Sequence, residues 1–118
     1  MTTDLRTAVL TEGMDDWVHL LAIDIAAERL HPHLAQGARH GLIVEVIAQL
    51  LNDALAEAGT VTEKDGFVAL REPTSDVVQR VRGAFLNENP DMWGYAIWLN
   101  NTPAGDAFAR AAEAVDRS

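Results

Sequence analysis

Apolar positions repeat at helical spacing through the first half of the chain and give way to alternation near residue 60. Asp4–Leu10 places Leu5, Ala8 and Val9 on one side, which predicts a short helix ended by Gly13. From Asp15 to Leu30, the stripe of Leu20, Ile23, Ala27 and Leu30 is widened by Trp17, Leu21 and Ile25. It predicts a longer helix with Asp15 and Asp16 at its positive end. Trp17–Leu20 reads alternatively as a very short strand with the helix starting after it. His31-Pro32-His33 stops this element, because a residue before proline is pushed out of the helical region.

The next helix, Gln36–Ala58, is the most apolar in the chain. Leu42, Ile43, Val46, Ile47, Leu50, Leu51, Ala54 and Leu55 cover more than half its circumference, so it belongs at the centre of the fold, with Gly59 as its C-terminal cap. Thr60–Lys64 and Phe67–Arg71 flank Asp65-Gly66, a dipeptide that favours a tight type I′ hairpin with positive φ at both residues. After Pro73, Thr74 or Ser75 caps a helix to about Leu86 that buries Val77, Val78, Val81 and Phe85. Asn87–Asp91 is a polar loop.

The stretch from Trp93 to Phe108 carries the sharpest local signal. Tyr95, Ile97 and Leu99 alternate with Ala96, Trp98 and Asn100, the period of a half-buried strand. Thr102 then offers a hydroxyl N-cap and Pro103 suits the first helical position, opening a helix to about Val115 with Ala104, Ala107, Phe108, Ala111 and Val115 on its apolar side. The fold class that follows is mainly α with a small antiparallel sheet. The Leu99-x-x-Thr102-Pro103-x-Gly105 signature resembles the last wing strand and following helix of winged-helix domains. The resemblance implies a single winged-helix-like domain over residues 1–118, with Thr74–Asp91 inserted between the sheet strands.

That resemblance also implies DNA binding through the third helix and the wing, which would use Gln36, Arg39, His40 and Lys64. Composition opposes it. Acidic residues outnumber basic ones 18 to 9 among 118 residues, the net charge is −9, and Lys64 is the only lysine. Such a surface repels phosphate backbones and anionic lipid. Beyond its first turns the third helix presents Glu45, Asp53 and Glu57, and the wing carries Glu63 and Asp65 beside Lys64. Clustering of the four candidate DNA contacts on one surface would favour a winged-helix transcriptional regulator; scatter would not.

Chemistry is scarce. The chain has no cysteine, which excludes disulfides and thiolate zinc sites and fits a reducing compartment. Its four histidines show no metal-ligand spacing, and Ser75 beside Asp76 is explained by helix capping. No phosphate loop, catalytic residue, cofactor or metal is expected. The amino-terminal stretch lacks the pattern of a secretory signal and no apolar run reaches a membrane span, so the expected place is the cytoplasm. Phe67, Phe85, Trp93, Tyr95, Trp98 and Phe108 all fall in the second half. Alternation sets Trp98 opposite Tyr95, Ile97 and Leu99, where it either anchors a protein partner framed by Arg80 and Arg82 or lies under the inserted helix. The expected function is a non-enzymatic domain that binds another protein or itself, as a regulatory adaptor or immunity-type inhibitor.

Overall fold

The computed structural model describes residues 4–117, so Met1, Thr2, Thr3 and Ser118 of the expected 1–118 domain lie outside the described residues. Three helices carry most of the core: α1 (Leu5–Gly13), α2 (Leu20–Leu30) and α3 (Gln36–Asn52), with the two-residue strand β1 (Val18–His19) between the first two. Strands β2 (Ala56–Thr62) and β3 (Gly66–Ala69) form a hairpin. Helices α4 (Thr74–Phe85) and α5 (Pro90–Trp93) follow, then β4 (Trp98–Asn101) and α6 (Pro103–Arg117). The protein is thus mainly helical with a small four-stranded antiparallel sheet. The sheet order is β1-β4-β2-β3, so the last strand in sequence lies between the first and the hairpin.

Helix α3 supplies the centre, as its pattern predicts. Ile43, Ile47 and Leu50 have no exposed surface and pack with Leu10, Leu20, Ile23, Val81 and Leu99 in one contiguous core. Thr102 caps α6 as expected: its Oγ1 accepts the Gly105 backbone N–H at 3.1 Å and donates to the Ala54 carbonyl at 2.7 Å. In the sheet, Leu99 pairs across β4 with Val18 and Ala58, all buried, while Trp98 pairs with His19 and Gly59 on the opposite face. The helices therefore cover the Leu99 face.

Several boundaries differ from the expected ones. Helix α4 opens directly at Thr74, with Pro73 before it and no side-chain cap from Thr74 or Ser75, and Pro90–Trp93 is a short helix where a loop is expected. The chain before Leu20 is β1, the short-strand alternative, because His19 leaves the helical conformation and its Nδ1 accepts the Ala22 N–H at 3.0 Å, capping α2. Helix α3 ends at Asn52 rather than Ala58. Ala54 adopts φ 56°, the Leu55 N–H bonds the Leu50 carbonyl at 2.9 Å, and the Ala54 N–H bonds the Leu51 carbonyl at 3.1 Å. This left-handed helix stop usually employs glycine, so alanine gave no sign of it, and Gly59 sits in β2 instead of capping.

The hairpin turn is also longer than Asp65-Gly66. Thr62 pairs with Gly66, leaving Glu63, Lys64 and Asp65 between them; Gly66 alone is left-handed, at φ 65°, and Thr62 Oγ1 accepts the Asp65 N–H. Finally, residues 94–97 are not strand. The Gly94 and Ile97 carbonyls are taken by the Leu21 and Leu20 N–H groups, which pins this segment to the start of α2. Alternation therefore begins only at Trp98, and Tyr95, expected opposite Trp98, lies on the same side as Trp98 and is 53% exposed.

Two stability outcomes follow in chemical denaturation. Ile47→Ala or Leu50→Ala costs about 2–5 kcal/mol, the usual penalty for emptying a packed site; parent-like unfolding would remove α3 from the core. Ala54→Gly gains about 0.5–1 kcal/mol, because relief of the left-handed alanine exceeds the added freedom of glycine in the unfolded chain. Loss of stability in that variant would contradict the helix stop described here.

Candidate functional site

The outward sheet face collects aromatic side chains that the core does not use. Strand pairing sets His19 beside Trp98, with ring centroids 5.1 Å apart and nearly perpendicular. Tyr95 closes the group at 4.7 Å from His19 and 5.9 Å from Trp98. Phe67 crosses from β3 over Gly59, where a Cβ would meet its ring at 2.6 Å. Trp17, 38% exposed, stacks against Phe67 at 6.1 Å and reaches the hairpin tip at Gly66. The result is an aromatic strip from Tyr95 to Trp17, laid across β1, β4 and the hairpin.

Carboxylates border this strip. A cleft of about 330 Å³ opens beside Trp17 and Asn100, lined also by Asp15, Asp16 and Asp106. Two of these carboxylates are oriented by local hydrogen bonds: Asp16 Oδ1 accepts the Trp17 N–H at 2.8 Å, and Asp106 Oδ1 accepts from Asn101 Nδ2 at 3.0 Å. Asn101 Nδ2 also donates to the Leu10 carbonyl at 2.8 Å, which ties the cleft floor to α1.

Arg39 and His40 turn inward. Asp24 is the one charged residue buried among those described, and Arg39 Nε donates to its Oδ1 at 2.8 Å. His40 stacks on Phe85, with centroids 3.8 Å apart, and presents an edge contact to Trp93 at 5.7 Å. Its Nε2 stands 3.5 Å from Asp24 Oδ1 without making a hydrogen bond. Desolvation holds His40 below its ordinary pKa, opposed by Asp24 and reinforced by Arg39. The hydrogen bond to Asp24 holds the Arg39 guanidinium above its ordinary value. The sequence offered no sign of this centre, because Asp24 sits inside an otherwise apolar stripe.

The remaining candidates do not converge. Gln36 is exposed at the start of α3, and Lys64 is exposed at the hairpin tip between Glu63 and Asp65. Arg80 is held by Glu72, with Nε donating to Oε1 at 2.6 Å, and Arg82 borders the notch beside His40 and Phe85. Helix α4 packs on α3 and α5, so Trp98, Arg80 and Arg82 have separate neighbours. His31 and His33 are exposed. No helix among the described residues is long and apolar enough to cross a membrane. No protein-family model, curated protein or solved structure matches the chain.

His19 and His40 give the fold a pH dependence. Burial lowers the pKa of His19, against the raising influence of Glu12 and Asp16, and its cap requires an unprotonated Nδ1. Both histidines therefore bind protons more readily in the unfolded chain, near the ordinary value of 6.5. Their contribution is complete above that value and is lost as pH falls through the lower folded-state values. Urea midpoints should decline between about pH 7.5 and about pH 5. His19→Asn keeps a capping acceptor without titrating, so it should reduce that decline while retaining neutral-pH stability. An unaltered decline in both His19→Asn and His40→Gln would assign the effect to other groups.

Proposed function

We propose that this chain is a small acidic, non-enzymatic protein-binding domain of the cytoplasm with a winged-helix-like core, acting as a regulatory adaptor or inhibitor. The aromatic strip around Trp98 carries this reading. Four aromatic side chains and His19 share a sheet face that no helix needs for the core, and tryptophan and tyrosine are the side chains most often found at the energetic centre of protein interfaces. The order of a helix, a short strand, two helices and a hairpin supports the winged-helix-like reading of the scaffold.

A different protein suits this face better than a second copy. Two copies bring −9 against −9, whereas a basic partner gains both steering and complementarity from the same charge. Nucleic acid is the weaker alternative: Arg39 is neutralised by Asp24, His40 is stacked on Phe85, and Lys64 stands between two carboxylates. Few phosphate contacts release few counterions, the usual source of non-specific affinity.

The test compares the parent with Trp98→Ala as bait, quantifying captured proteins, beside light scattering and a duplex-DNA titration at physiological salt. Trp98→Ala should keep the parent's far-UV circular dichroism and lose the enriched partner, with duplex DNA bound weakly or not at all. Identical capture by both baits overturns the assignment of this face. Sub-micromolar, salt-dependent DNA binding that disappears in Arg39→Ala replaces it with a DNA-binding regulator.

A further inference from the structure

The chemistry of the partner is narrowed by what surrounds the aromatic strip. Beside Trp17 the cleft presents Asp15, Asp16 and Asp106, and no lysine, arginine or histidine lines it. The hydrogen bonds to Asp16 and Asp106 each engage one carboxylate oxygen, which keeps the second oxygen for an external donor. The indole of Trp17 forms the adjoining wall and is 38% exposed. An exposed ring beside oriented carboxylates matches a planar guanidinium. That group stacks on an aromatic face while donating in its own plane, and a compact ammonium lacks this second mode.

We propose that the aromatic face docks an extended, arginine-bearing segment of a basic partner protein, with one guanidinium seated between Trp17 and the carboxylates of this cleft. Apolar parts of the same segment run on over Phe67 and Trp98. The inference rests on the protein-binding reading above and adds the charge class and the anchoring residue of the partner. Charge complementarity selects this occupant. A second copy opposes acid to acid, and among the described residues no three histidine, aspartate or glutamate side chains are grouped to hold a metal ion.

The probe is a short synthetic peptide alternating arginine and serine, with lysine–serine and glutamate–serine peptides of the same length as comparators. Binding is followed by tryptophan fluorescence and by the indole N–H resonances. The arginine peptide should shift the Trp17 resonance, bind more tightly than the lysine peptide, and leave the glutamate peptide without effect. Trp17→Ala should weaken it about fivefold, a cation–π loss at a partly exposed ring. Asp15→Asn combined with Asp106→Asn should weaken it comparably without changing the shape of the cleft. Glu88→Gln combined with Glu45→Gln, the same change in net charge at exposed positions elsewhere, should leave binding within about twofold of the parent. Equal affinity for the arginine and lysine peptides, or equal weakening by the control pair, overturns the guanidinium seat. A dimer that forms in the parent and is lost in Trp17→Ala also overturns it, in favour of a second copy. If Trp98→Ala abolishes partner capture while the arginine peptide fails to bind, the arginine seat falls and the protein-binding face stands.

Discussion

The approach of α6 to the end of α3 is the constraint on which the rest of the architecture depends. The Leu55 carbonyl accepts the Thr102 N–H at 3.1 Å, while Thr102 Oγ1 donates to the Ala54 carbonyl and caps α6 through Gly105. Gly105 sits against the Leu55 carbonyl oxygen, and a Cβ there would collide with it. One small junction thus terminates α3, begins β2, ends β4 and starts α6. Each backbone group it consumes would otherwise be an unpaired donor or acceptor at a helix end. The register of β4 against β2 follows, since Ala56 pairs with Asn101 immediately beside it.

Once that register is set, the two faces of the sheet are fixed by period-two alternation. Leu99 must enter the core with Val18 and Ala58, and Trp98 must leave it with His19. Trp98 is outward because its neighbour in sequence is needed inward. The same logic places His19, whose backbone ends β1 and whose side chain caps α2. A single residue therefore couples the aromatic face to the start of a core helix, and its protonation state belongs to both.

Residue types with unambiguous local chemistry made part of this legible in the sequence. Thr102-Pro103 announced its helix start, Gly66 its left-handed turn, and the Ile43, Ile47 and Leu50 stripe its central helix. The hidden parts were those decided by tertiary partners. Ala54 takes a conformation that alanine does not advertise, so the helical pattern continued on paper for residues that are strand in space. Tyr95 continues the alternation of Ile97 and Leu99, yet hydrogen bonds to the start of α2 hold residues 94–97 out of the sheet. Arg39 and His40 read as surface contacts because Asp24, fifteen positions before Arg39, becomes its partner and the neighbour of His40 only when α2 and α3 pack. For the site, alternation set Trp98 opposite Leu99 but wrongly opposite Tyr95 as well, and Trp17 and Phe67 meet only through the course of the hairpin.

The Asp24 centre shows why helix position alone is a poor guide to recognition. A guanidinium paired at 2.8 Å and mostly shielded from water offers phosphate little, since releasing it would leave a buried carboxylate without its counter-charge. That pairing joins α2 to α3 in the region where a nucleic-acid-reading helix would need free cations. On the sheet face the balance reverses: the rings are already partly exposed, the bordering carboxylates are solvated, and no internal pair must break for a cation to arrive. Electrostatic cost and aromatic exposure therefore point to the same side of the molecule. A basic protein segment can use both without disturbing the core.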